Sequence, residues 1–60
     1  MSHPIVIEMV ARLDENLREA FEERAAVMEF DACIQRDLAE ALALLLVIRQ
    51  YPKDAIAALR

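Results

Sequence analysis

Apolar residues recur through Val6, Val10, Leu13, Leu17, Ala20, Val27, Ile34, Leu38, Ala41, Leu45 and Ile48, at steps of three, four or seven. Such spacing gathers side chains into one stripe along a helix, and the stripe is stable only when another helix covers it. No glycine interrupts the pattern. It predicts an all-α protein.

The first helix is expected over about residues 3–29, with Ser2 as its N-cap and Pro4 in its first turn, where the amide that proline lacks has no helical partner. Its apolar face is Val6, Met9, Val10, Leu13, Leu17, Ala20, Phe21 and Met28, opposed by Glu8, Arg12, Glu15, Glu19, Glu22 and Glu23. Glu8 with Arg12 and Asp14 with Arg18 are favourable pairs four residues apart. A turn is expected at about residues 30–34, where Asp31 can cap a following helix and where Arg24 and Asp31 occupy the apolar register. A single bent helix over residues 3–51, about 73 Å long, is the alternative.

The second helix, about residues 35–51, carries Leu38, Leu42, Leu44, Leu45, Leu46, Val47 and Ile48, so its later turns are apolar on most sides and are expected to be buried on most sides. Pro52 then opens a short helix to about residue 59, with Asp54 near its positive end and Ile56 and Leu59 as its inner face. The pattern gives a single helical domain over residues 1–60: a helical hairpin with a short third helix. A chain of 60 residues buries only about 60% of the surface its unfolded form exposes. With 58% hydrophobic residues, the excess apolar surface marks a partner face, and assembly into a dimeric or tetrameric bundle is expected.

Charge narrows the classes of partner. The net charge of −4 is uneven: residues 1–31 hold eight carboxylates against three arginines, and residues 32–60 hold three carboxylates against four basic side chains. Nucleic-acid binding draws on clustered Lys and Arg, so the acidic half disfavours it and points to a basic protein partner. One cysteine, Cys33, excludes an intramolecular disulfide, and a cytoplasmic protein is the natural expectation. The longest apolar run, Ala41 to Ile48, is far short of the ~20 residues a bilayer requires, and no targeting segment is evident.

The segment Glu23-Arg24-Ala25-Ala26-Val27-Met28-Glu29-Phe30-Asp31, followed by Arg36-Asp37-Leu38-Ala39-Glu40, resembles a short helix-turn-helix segment near the ends of many phage and plasmid proteins. In those proteins two glycines follow the aspartate, where this chain has Ala32 and Cys33, and a Ser or Pro opens the next helix, where it has Gln35. The resemblance covers under a third of the chain. It implies a mobile-element origin and a break near Asp31, and it assigns no catalytic residue.

The candidate chemistry is sparse. Carboxylate-bridged metal sites in bundles use Glu with a His three residues later, and the only histidine, His3, follows no such Glu. Cys33 and His3 are remote in sequence, so no nucleophile and base are paired, and neither an enzyme nor a cofactor is expected. Cys33 reads as a small buried or half-buried residue, and Phe21, Met28 and Phe30 as core. Arg24 reads either as a packed stem with a solvated head or as a pairing device meeting Asp31 or Glu29 of a neighbouring copy.

The expected function is protein binding by an acidic helical module acting as an oligomer. Its interface is expected at Val10, Leu13, Leu17, Phe21, Leu38, Leu42, Leu45 and Ile48, its partner face at Glu15, Glu19, Glu22 and Glu23, and its register pair at Arg24 and Asp31. The alternatives are a purely structural oligomerisation element, or an inhibitor of antitoxin or anti-defence type carried by a phage or plasmid.

Overall fold

The computed structural model describes residues 3–60 as four helices and, among those residues, no strand: α1 (Pro4–Arg12), α2 (Glu15–Phe30), α3 (Arg36–Gln50) and α4 (Pro52–Leu59). The longest dimension is 31 Å, less than half the length of the rod alternative. The helix expected over residues 3–29 is two helices. Leu13 and Asp14 take extended conformations, with ψ 147° and 174°, and the Asp14 carboxylate accepts from the Leu17 amide at 2.8 Å, which starts α2 afresh. A straight helix would carry Val6 away from α3. The break swings α1 across α3 and α4 instead, so that Val6 and Leu13 join the common core.

Arg18 completes this corner in a way its spacing did not suggest. Among the described residues its guanidinium donates not to Asp14, four residues earlier, but to the carbonyls of Ala11 (3.3 Å) and Leu13 (3.2 Å), orphan acceptors at the end of α1. The Glu8–Arg12 pair is present at 3.5 Å, between well-exposed side chains. At the other end of α1 the cap is His3, whose Nδ1 accepts from the Ile5 amide at 3.2 Å; Ser2 lies outside the described residues. Replacing Asp14 by alanine removes the α2 cap and is expected to cost about 1 kcal/mol, read as a lowered urea midpoint with an unchanged slope.

The turn between α2 and α3 runs from Asp31 to Gln35. Asp31 ends α2, its amide donating to the Val27 carbonyl at 2.8 Å, and does not cap α3; Gln35 precedes α3 without a side-chain cap. Ile34 donates back to the Met28 carbonyl at 3.1 Å while Cys33 takes a left-handed φ of 55°, a conformation that suits glycine better than cysteine. Cys33 is exposed rather than buried, because its place at the tip of this turn turns it away from both helices. Phe30, expected in the core, is 75% exposed because nine residues of helix put it on the side of α2 opposite Phe21, and Met28 is half-buried.

The principal packing is α2 against α3. The core is Val6, Leu13, Leu17, Phe21, Ala25, Ala43, Leu44, Val47 and Ala55, and Ala39 is also fully buried. Ala25, Ala39 and Ala43 let two helix backbones come close, so the inner face of α3 is formed by Ala39, Glu40, Ala43, Leu44 and Val47. The leucine stripe is rotated outward as a result. Leu38 (54%) and Leu45 (61%) face solvent, and α3 is not covered on most sides within one chain. In α4, Pro52 occupies the first turn as expected, but the buried residue is Ala55; Leu59 is half-buried and Ile56 is exposed.

Candidate functional site

Two surfaces stand out on the α2/α3 pair, one apolar and one acidic. Helical spacing puts Leu38, Leu42, Leu45 and Arg49 on the outward side of α3 and Val27 on the neighbouring side of α2. Leu38, Leu45 and Val27 are exposed, and Leu42 and Leu46 are half-buried. At the open end of this face Arg24 donates to Gln50 Oε1 at 3.5 Å, and Arg24, Leu46, Arg49 and Gln50 line a shallow depression. Asp31 lies at the turn end of the same face. The cations and the carboxylate therefore occupy opposite ends of an apolar strip.

The eight residues expected at an oligomer interface divide. Leu13, Leu17 and Phe21 are buried in the chain's own core, so they offer almost no surface to a second copy. Val10 and Ile48 are half-buried against that core, whereas Leu38, Leu42 and Leu45 share the outer strip. Glu15, Glu19, Glu22 and Glu23 are all exposed on α2, and Glu23 lies one turn from Val27 at the edge of the strip. Glu29, one candidate partner for Arg24 of another copy, is already bonded within the chain to Arg36 at 2.9 Å.

That bond belongs to a constellation that sequence reasoning missed. The Arg36 guanidinium joins two helices: Nη1 donates to Glu29 on α2, and Nε donates to Glu40 Oε2 on α3 at 3.0 Å. Hydrogen bonding to Glu29, and then to Glu40, raises the Arg36 pKa further above its already high range. A raised folded pKa adds stability at every pH below the unfolded value and loses it only as pH rises through the folded one, so this contribution is constant around neutrality. Glu40 is only 6% exposed, and its other oxygen, Oε1, has no hydrogen-bond partner among the described residues. The spacing of Arg36 and Glu40, four residues apart, was a signal for the pair; nothing in it revealed the burial.

Beside this network an open cleft of about 310 Å³ lies between α1 and the α2/α3 pair, lined by Val6, Ile7, Val10, Ala11, Phe21, Glu22, Arg36 and Glu40. Its lining is apolar except for Glu22, Arg36 and Glu40. Among the described residues no group of three or more His, Cys, Asp or Glu is placed to hold a metal ion, and no helix is long and apolar enough to cross a membrane. The chain matches no protein-family model, no curated protein and no solved structure.

Proposed function

We propose that this chain is a non-enzymatic interaction module that pairs with a second copy through the outer strip of α2 and α3 and offers the acidic flank of α2 to a basic protein. The observation that carries the reading is the outward rotation of Leu38 and Leu45, which leaves large apolar side chains in line along one helix while alanines fill the inside.

Charge favours a two-fold pairing. In an isologous contact the same strip meets itself reversed, so Arg24 and Arg49 at one end approach Asp31 of the other copy while the leucines meet in the middle. This keeps the expected pairing of Arg24 with Asp31. It leaves Glu15, Glu19 and Glu22 uncovered, while Glu23, one turn from Val27, lies at the edge of the strip.

Light scattering on a sizing column tests the assembly. The wild type is expected at twice the 6.8 kDa chain mass, and Leu45→Asp at the chain mass with its helical circular dichroism retained, because Leu45 supports no intrachain core. A wild type that stays monomeric at all concentrations refutes the pairing. Glu19→Lys combined with Glu23→Lys should leave the mass unchanged while abolishing capture of basic partners, and capture that survives the reversal removes the acidic flank from the reading.

A further inference from the structure

We propose that α1 carries an acid-sensitive latch: His3 holds the first turn of the helix closed while its ring is neutral and releases it when the ring is protonated, uncovering the apolar surface around Phe21. Three observations converge on this device. The His3 Nδ1 accepts from the Ile5 amide at 3.2 Å as the side-chain cap of α1, and a ring nitrogen that has taken up a proton can donate but no longer accept. The first turn holds no acidic residue to offset the charge that an imidazolium sets at the positive end of the helix. Val6, the only buried residue of α1, belongs to that same turn and follows the capped amide directly. Cap and anchor are therefore one unit. Val6 and Phe21 both line the cleft, so a first turn that unwinds takes one wall with it and bares the ring.

The pH range follows from the residue type. His3 is the only histidine, and imidazole is the side chain that ordinarily changes charge between pH 5 and 8. On α1 itself the charged residues are Glu8 and Arg12. The elements packed on it bring Glu22 from α2, Arg36 and Glu40 from α3 with Asp37 in the same turn, and Arg60 just beyond Leu59 of α4. A side-chain carboxyl ordinarily titrates near pH 4 and a guanidinium above 12, outside the range of the latch. Among the described residues no carboxylate pairs with the ring. The cap therefore contributes above the imidazole range and is lost as pH falls through it, so acid opens the turn. The latch is a property of one chain and stands whether or not two chains pair.

The test is an NMR titration of the isotope-labelled full chain across the imidazole range at fixed ionic strength, reading Cα shifts of Ile5, Val6 and Ile7 for helicity and the Val6 methyl and Phe21 ring signals for packing. In the wild type the ratio of open to closed first turn is expected to rise about fivefold on acidification, the factor that loss of an N-cap carries, and to follow the His3 ring signals. His3→Asn keeps a capping oxygen that does not titrate and should hold the turn closed throughout, whereas His3→Ala should leave it open to a similar extent at every pH. Unchanged signals from Ala43 and Val47, in the core of α3, distinguish this local opening from unfolding of the whole chain. Helicity at Ile5 to Ile7 that stays constant in the wild type, that rises in acid through a pair between the imidazolium and Asp37, or that falls equally in either variant overturns the proposal.

Discussion

Phe21→Ala is expected to leave a large fraction of the chain unfolded in buffer at 25 °C. The ring is buried at the junction of α1, α2 and α3, and truncating such a residue costs about 3–5 kcal/mol through lost transfer energy and the cavity that remains. A domain of 60 residues has about 3–9 kcal/mol in total at typical stability per residue, so the loss approaches the whole. Urea titration followed by far-UV circular dichroism reads the effect. Phe30→Ala is the control: that ring is 75% exposed, and its loss should change stability by no more than about 0.5 kcal/mol. If the two substitutions had similar costs, or the reverse order, Phe30 and not Phe21 would be the ring in the core.

Ala43→Leu is expected to be the second most damaging single change, at about 1–3 kcal/mol. Leucine is nearly as good a helix former as alanine and more hydrophobic, so both intrinsic terms predict little harm. Packing reverses the sign. Ala43 has no exposed surface, and with Ala25 and Ala39 it belongs to the set of small residues through which α2 and α3 approach, so added methylenes must push the helices apart or adopt strained rotamers. The same substitution at exposed Ala57 on α4 should be nearly neutral. Comparing the two urea midpoints separates packing from propensity, and equal midpoints would mean that the α2/α3 contact is loose.

Much of the fold was legible in the sequence because helices announce themselves by period. The all-helical class, the break after Phe30 and the short helix from Pro52 to Leu59 all correspond to patterns a single chain displays. The break at Leu13 and Asp14 was hidden because both residues fit an uninterrupted helix: Leu13 sits on the stripe, and Asp14 has Arg18 four residues on. Only the fold shows that the carboxylate is spent on Leu17 and the guanidinium on two carbonyls.

The inner face of α3 was hidden for a different reason. Leu38, Leu42 and Leu45 were expected at an interface between copies, and the period that marks their stripe does not mark Ala39 and Ala43 as the residues facing α2. Here close approach is achieved by Ala39 and Ala43, and Leu38 and Leu45 are displaced to the surface. The candidate cleft was the least legible part. Its walls come from α1, α2 and α3 at positions separated by more than half the chain, from Val6 to Glu40, and a charged residue such as Glu40 is assigned to solvent by any pattern argument. Arg36 pairs with it inside α3 and also reaches Glu29 on the neighbouring helix, a contact that no spacing along the chain displays.

The extended pair Leu13 and Asp14 also divides the molecule into parts of unequal tenacity. α1 has one buried residue of its own, Val6, where α2 has three and α3 has five, so detaching α1 uncovers far less apolar surface than parting α2 from α3. Backbone amides therefore fall into two tiers of protection, with those of α1 released by a partial opening that the other helices survive. The cleft shares the fate of the weaker tier, since four of its walls, Val6, Ile7, Val10 and Ala11, leave with α1. Anything bound there would hold the first helix down and merge the two tiers into one.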